Sequence, residues 1–373
     1  MQTWKFLLIG VTGDLSKRKI LPALLEFAYK NFQEVNIELI GYSRSIPDRE
    51  EIYHILEQAV VDKKTNLTKI NFIQGEYNDP SFFIKTFNEL KEDERLIAYF
   101  AVPPHIFIDL LKIFCLVNKR NIDVIIEKPF GQDIEEARKI IKKVEDCNLQ
   151  EIVHFCDHYL FKEGVNLTNE VLEKLSKFKL EDITTIQINA LEKLDVNGRA
   201  GYFDKIGSIK DMIPAHFYSL WHILKKYNLV NQSFNDIVIN SLKIGQYNGY
   251  KEDVANTESK TETYFNIDGS VEGIKVNLES GKKKSKKQTE ILITYSNNSK
   301  IRWNIDPGKK IYIDETEFDL SHTNSQDHTN LLEDLKNKVN ERFLDEQDAI
   351  NGWLFYEKIK KYIDATNPQL EIY

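Results

Sequence analysis

Apolar residues in the first half of the chain come in two alternating forms. Short β-branched runs at 5–9, 37–41, 70–74, 96–102, 124–127 and 152–155 read as buried strands. Between them, apolar positions recur with helical spacing near 15–31, 48–61, 80–91, 104–119 and 132–147. Strand alternating with helix predicts a doubly wound parallel sheet, covered by helices on both faces. After residue 162 the pattern changes. A helical window near 163–178 precedes a strand-like run at 183–193 and an amphipathic helix at 212–227. Strand-like segments then crowd together at 236–247, 261–267, 272–278, 288–296, 299–305 and 309–314, and helices near 327–343 and 346–364 follow. Clustered strands with flanking helices predict an α+β domain on a large, mainly antiparallel sheet. The expected division is 1–156 and 157–373.

Charge narrows the partners. The net charge of -8 gives the whole molecule no attraction for nucleic acid or an anionic membrane. An anionic ligand must therefore meet a local basic cluster. No apolar run reaches membrane-spanning length, and the opening apolar run is too short for a signal sequence, so a cytoplasmic protein is expected. Cys115, Cys147 and Cys156 lie outside any metal-ligand spacing; buried free thiols and no metal site are expected.

In a doubly wound sheet the ligand sits beyond the carboxyl ends of the strands. The first strand ends in Gly10-Val11-Thr12-Gly13-Asp14-Leu15, where glycines permit a tight turn and close approach of a pyrophosphate to a helix N-terminus. The same glycines serve any strand-to-helix turn, and Thr12 and Asp14 also suit plain helix caps. The second strand ends in Ser43-Arg44, where an NAD site would carry an acid for the ribose hydroxyl. Arg44 suits the 2′-phosphate of NADP, which is expected ahead of NAD. Pro103-Pro104 closes the fourth strand, and Glu127-Lys128-Pro129-Phe130-Gly131 the fifth. The densest polar stretch is Asp157-His158-Tyr159-Leu160-Phe161-Lys162-Glu163. On a helix, Asp157, His158 or Tyr159, and Lys162 would face one pocket; a polar surface turn is the plain alternative.

Taken together, these residues resemble the glucose-6-phosphate dehydrogenase family. The resemblance rests on 10–19 with Leu21-Pro22-Ala23, on Glu127–Gly131 and on Asp157–Glu163. It continues through Arg199–Asp204, Gly207 and Asp211-Met212 to His216, then Gly245-Gln246-Tyr247, Thr261-Glu262-Thr263, Gly281-Lys282, and Asp345-Glu346 ahead of Trp353. It implies a Rossmann-type domain binding NADP through Gly10, Thr12, Gly13, Asp14, Leu15, Arg44, Pro103 and Lys128. It further implies oxidation of glucose 6-phosphate at C1 to the 6-phosphoglucono-1,5-lactone, the entry step of the pentose phosphate pathway.

The family's general base lands on His216, with Asp157 as its orienting acid. The sugar phosphate would meet His158, Tyr159, Lys162, Lys282 and Lys287, and the sugar hydroxyls Glu192 and Asp211. Lys19 and Lys128 fall between cofactor and sugar. Members pair through the large sheet, so a homodimer or dimer of dimers is expected. The chain departs from the family at Pro214-Ala215, where Gln-Asn is usual, and at Phe161, Glu279 and Phe107. Phe161 replaces a glycine and would add bulk on the phosphate side. Trimmed segments near 248–275 and 305–330 imply loss of a regulatory cofactor site. Two other readings stay open: a dehydrogenase of another sugar or sugar phosphate on the same scaffold, and a non-catalytic NADP-binding relative.

Overall fold

Each strand expected in the first half forms, at nearly the expected bounds, in a computed structural model that describes residues 1–58, 66–117, 120–196, 198–322 and 325–373. The ends of two expected helical windows, 59–61 and 118–119, lie outside the described residues. The chain divides into two compact units, Met1–Phe161 with Ser325–Ile350, and Lys162–Asn324 with Asn351–Tyr373.

The first unit carries β1 (Gln2–Ile9), β2 (Val35–Ser43), β3 (Leu67–Gln74), β4 (Glu94–Phe100), β5 (Ile122–Glu127) and β6 (Val153–Cys156). They form one parallel sheet in the order β3-β2-β1-β4-β5-β6. The order reverses direction between β1 and β4, the point where such sheets hold ligands beyond their carboxyl ends. β5 is buried along its whole length, as a strand covered on both faces requires. Helices start where capping chemistry permits. Asp79 accepts the Ser81 N–H at 3.0 Å ahead of Pro80–Asn88, and Asp133 accepts that of Glu136 at 2.8 Å ahead of Ile134–Asp146.

Two expectations need correcting here. Cys115 and Cys147, expected as free thiols, are joined in a disulfide with Cα atoms 5.1 Å apart. They follow the helices Phe107–Phe114 and Ile134–Asp146, which pack together and so bring their C-terminal ends within reach. Cys156 is free and buried. The segment Ser325–Ile350, read with the second domain, belongs to the first unit. Its helix Asp327–Asn337 buries polar side chains that find partners there. Thr329 donates to the Ala23 carbonyl at 3.2 Å, Asn330 donates to that of Phe161 at 2.9 Å, and Arg95 donates to the Leu335 carbonyl at 2.8 Å.

The second unit is built on nine strands: β7 (Ile183–Leu191), β8 (Val238–Gln246), β9 (Tyr264–Val271), β10 (Ile274–Gly281), β11 (Gln288–Tyr295), β12 (Lys300–Asp306), β13 (Lys310–Ile313), β14 (Thr316–Asp319) and β15 (Leu370–Ile372). Their order is β14-β13-β12-β11-β7-β10-β9-β8-β15, antiparallel except for β7 with β10 and β8 with β15. β9 to β12 alternate buried and open positions along most of their length, the mark of a sheet with one covered face. The expected helix at 163–178 is broken into a 3₁₀ turn, Glu163–Val165, and a helix, Asn169–Leu175, capped by the Thr168 hydroxyl. The helix expected at 212–227 begins earlier and has three parts: Gly207–Met212, a π-helical turn Ile213–Phe217, and Tyr218–Lys226. No described helix is long and apolar enough to cross a membrane.

Candidate active site

The expected site residues fall in both units, and each unit positions its share by local contacts. In the first, β1 exits hard against β4. Gly10 has φ +93°, and a Cβ there would lie 2.2 Å from the Ala101 carbonyl oxygen, so only glycine fits. Its N–H donates to the Tyr42 carbonyl at 2.7 Å, and its own carbonyl accepts the Gly13 N–H at 2.9 Å and the Ser16 hydroxyl at 2.8 Å. Gly13 follows closely, with a built Cβ 3.1 Å from the Gly10 oxygen. The chain turns helical at Asp14 and Leu15 and runs through a π-helical turn, Ser16–Ile20, into Leu21–Lys30. The result is a tight turn, with glycine at both ends and Val11 buried beneath it, facing a helix N-terminus, which fits a pyrophosphate.

Thr12 and Leu15 are half-buried along this turn; Asp14 is exposed and pairs with Arg18 at 2.7 Å. Lys19 is exposed on the same turn. Arg44 stands exposed just past β2, its guanidinium 5.5 Å from the centre of the Tyr77 ring. Burial pushes the Tyr77 hydroxyl's ionisation up, only partly offset by Arg44. Pro103 is exposed at the exit of β4, where the short turn Pro104–Ile106 begins. Lys128 follows β5; its N–H donates to the Cys156 carbonyl at 3.2 Å, and its bond to Pro129 is cis.

Asp157 follows β6 and is fully buried. Its Oδ1 accepts the Tyr159 N–H at 2.8 Å and lies 3.7 Å from His158 Nδ1. The expected helical septet is a 3₁₀ turn, His158–Phe161, and not one helical face. Phe161 turns into the core of its unit, fully buried, 5.1 Å from the Phe343 ring and beneath the Arg342 guanidinium. Beside Asp157 lies a buried polar group that the sequence did not signal. Glu127 accepts from the Tyr99 hydroxyl at 3.3 Å and lies 3.2 Å from His328 Nε2, whose ring stacks at 6.4 Å on that of His158. Burial, then Glu127 and Asp157, pushes the Cys156 thiol far above its ordinary range, so it stays protonated.

In the second unit, parallel pairing sets two of the expected residues side by side. Leu191 pairs with Gly281, so Glu192 and Lys282 leave β7 and β10 together. Lys282 is buried, with Nζ 2.6 Å from Glu192 and 3.7 Å from Asp211. Lys282, expected at the phosphate, thus sits on the two carboxylates expected at the sugar hydroxyls. Two other residues expected at the phosphate, Lys162 and Lys287, share a different carboxylate. Trp303 of β12 donates to the Gly164 carbonyl at 2.7 Å, which draws Lys162 to the end of that strand. There Lys162 lies 2.9 Å from Asp306, and Lys287, just before β11, lies 3.0 Å from the same carboxylate.

His216 is buried in the π-helical turn, a local widening common at functional positions. Gly352 permits that turn to pack closely, since a Cβ there would fall 2.0 Å from the Pro214 carbonyl oxygen. Glu262, quoted above only as part of a motif, accepts the Ile209 N–H at 2.9 Å and so caps the helix leading to Asp211 and His216. Burial pushes its carboxyl up to about 7.

Comparison with known proteins bears on the family and the fold. Residues 7–166 match the family model "Glucose-6-phosphate dehydrogenase, NAD binding domain", and 165–310 match "Glucose-6-phosphate dehydrogenase, C-terminal domain". A chloroplastic glucose-6-phosphate 1-dehydrogenase of Solanum tuberosum is 28% identical over 70% of this chain and 52% of its own length. A cytoplasmic one of Arabidopsis thaliana is 27% identical over 78% of this chain and 66% of its own. The chain thus spans about half to two thirds of the length of these relatives. Among solved structures, a glucose-6-phosphate dehydrogenase in complex with glucose 6-phosphate superposes with a TM-score of 0.81 at 22% identity, covering 100% of this chain and 94% of that one. A glucose-6-phosphate 1-dehydrogenase from Mycobacterium avium gives 0.78 at 18% identity, with the same coverage. These two likenesses establish the fold.

Proposed function

The chain belongs to the glucose-6-phosphate dehydrogenase family, and on that footing we propose that it oxidises glucose 6-phosphate at C1 to the 6-phosphoglucono-1,5-lactone. NADP supplies the hydride acceptor. The Gly10–Leu15 turn and Arg44 hold its phosphates, with Pro103 and Lys128 on the nicotinamide side. His216 removes the proton of the C1 hydroxyl as hydride leaves that carbon. Asp157 orients the imidazole and stabilises the imidazolium that forms. Lys162 and Lys287, with His158 and Tyr159, bind the phosphate. Glu192 and Asp211 take the sugar hydroxyls, while Lys282 holds those two carboxylates in place. Lys19 and Lys128 serve the passage between cofactor and sugar.

The observation that carries this reading is the pair of ammonium groups on Asp306. Two ammonium groups about 3 Å from one carboxylate form a local basic cluster on an acidic protein. A sugar phosphate is the ligand that needs it. The protein works in the cytoplasm as a homodimer or dimer of dimers, at the entry to the pentose phosphate pathway. A panel of sugars and sugar phosphates, each with NADP and NAD and followed by nicotinamide absorbance, tests the reading. Glucose 6-phosphate with NADP should give the highest kcat/KM, and an equal or better rate with another sugar would overturn it. Pro214 and Ala215, directly before His216, favour the second reading, a dehydrogenase of another sugar phosphate.

A further inference from the structure

On the reading that Glu192 and Asp211 take the sugar hydroxyls, we propose that Tyr373 is a positioning residue for those two carboxylates. It acts through the turn that carries Lys282. β15 brings it there, since Leu370 to Ile372 pair in parallel with Ile244 to Gln246 of β8. The Tyr373 N–H donates to the Gln246 carbonyl at 3.1 Å, and its own carbonyl accepts the Asn248 N–H at 2.8 Å. With both backbone groups held, the side chain lies across the start of β9 and reaches the residue after β10.

Both ends of that side chain hold the turn. The phenol donates to the Lys282 carbonyl at 2.8 Å and so is left to accept from the Thr263 hydroxyl at 3.1 Å. Thr263 is fully buried and ties the same place together. Its hydroxyl oxygen accepts the Tyr247 N–H at 2.9 Å, and its carbonyl accepts the Lys282 N–H at 2.9 Å. The ring grips the turn two residues on. Lys284 Nζ lies 3.9 Å from the centres of both the Tyr264 and the Tyr373 rings, a cation held between two aromatic side chains. A Cβ at Gly281 would fall 2.6 Å from Lys284 Cε, so glycine there leaves the lysine stem its path.

The turn in turn holds Glu192. Its N–H donates to the Gly281 carbonyl at 2.9 Å, its carbonyl accepts the Lys284 N–H at 2.8 Å, and the Leu194 carbonyl accepts the Lys283 N–H at 2.9 Å. The Lys282 ammonium, 2.6 Å from Glu192 and 3.7 Å from Asp211, is the one group that touches both carboxylates. A turn that slackens moves this buried ammonium and the spacing of both acids together. Tyr373 touches neither acid, so its effect on the sugar must pass through Lys282.

Tyr373→Phe keeps the ring against Lys284 and removes only the hydroxyl, at a residue 36% exposed, so the variant should fold. For the sugar phosphate that the wild type turns over best, its KM should rise roughly three- to tenfold, the worth of one net hydrogen bond. Its kcat and its KM for NADP should stay within about twofold. In the Lys282→Gln background the same change should add nothing, because the residue it acts through is gone. A second readout needs no substrate. Brief acetylation followed by mass spectrometry should find Lys282 labelled several-fold faster in Tyr373→Phe, and Lys162, held by Asp306, labelled at the wild-type rate. Lys284→Met removes the cation between the rings and should move both readouts the same way. An unchanged KM, a full effect without Lys282, or unchanged labelling of Lys282 overturns the proposal. A wild type that turns over no sugar phosphate overturns the reaction alone, and the labelling then decides whether Tyr373 holds Lys282.

Discussion

Lys162 donates to Asp306, Nζ to Oδ2, at 2.9 Å. Burial alone would raise the Asp306 carboxyl, but Lys162, then Lys287, reverse this and hold it below the usual carboxylate range. A depressed carboxyl stabilises the fold above its unfolded value near 4, and that contribution is lost as pH falls through the folded value. Asp306→Asn removes the charge that Lys162 and Lys287 share and should cost about 1–2 kcal/mol near pH 7. Tm measured from pH 3 to 7 should fall on the acid side more steeply for the wild type than for the variant. Parallel curves would remove the carboxylate from this role.

His216→Asn keeps the size and polarity of the side chain and removes the base. Its kcat should fall by roughly 10²–10⁴-fold, with KM for glucose 6-phosphate within about threefold of the wild type, an interaction lost only in the transition state. Steady-state kinetics decide this. A variant retaining most of its rate places the base elsewhere.

Gly352→Ala tests the π-helical turn from a distance. The added methyl meets the Pro214 carbonyl oxygen, and backbone cannot yield as a side chain can. Overpacking of this kind typically costs 1–3 kcal/mol, about the range expected here. A drop in kcat beyond the stability loss, at temperatures where the variant is fully folded, would tie the turn's geometry to His216. Unchanged kcat in the folded variant would separate them.

Glu262 is a carboxyl raised to about 7 by burial. The folded state therefore holds its proton more tightly than the unfolded chain does, so stability is greatest below about 4.5 and is lost as pH rises toward 7. Glu262→Gln keeps an oxygen for the Ile209 N–H and cannot ionise. Its Tm should fall less than that of the wild type between pH 5 and 8, and a transition near pH 7 in the wild-type kcat profile should flatten. Identical profiles would exclude Glu262 as the source.

Arg44 carries the preference between nucleotides. Arg44→Ala should raise KM for NADP by about tenfold or more, the loss of a charge-assisted contact, while KM for NAD changes by less than about threefold. Equal losses with both cofactors would move the 2′-phosphate contact to another residue.

Much of this was legible in the chain because local pattern and local chemistry agree. Buried parallel strands are continuous apolar runs, and all six strands of the first unit could be read from that pattern, although β3, expected as buried, is an edge strand without a buried residue. β14 and β15 escaped. They are short edge strands of mostly exposed residues, with neither the run nor the alternation that marks a strand. The glycine turn was legible too, although the sequence could not say that Gly10 is forced by Ala101, ninety-one residues away. Glu262 and His328 were missed for the same reason. A buried acid or imidazole has no local signature when its partners, Ile209 and Glu127, come from remote segments. The disulfide followed from helix packing and not from the spacing of cysteines. The lysine run from 282 to 287 is one cluster in sequence, yet β10 and β11 turn its two ends toward different carboxylates, a split that no local pattern signals.

The return of Ser325–Ile350 to the first unit sets an order for making the protein. A ribosome releases Met1–Phe161 first, but the partners of the Ala23, Phe161 and Glu127 groups arrive only after the nine-stranded sheet has been almost wholly synthesised. The nucleotide-binding body, first to be translated, is therefore the one that cannot finish folding early. A nascent chain stalled before residue 325 would present it open along the surface that this segment covers.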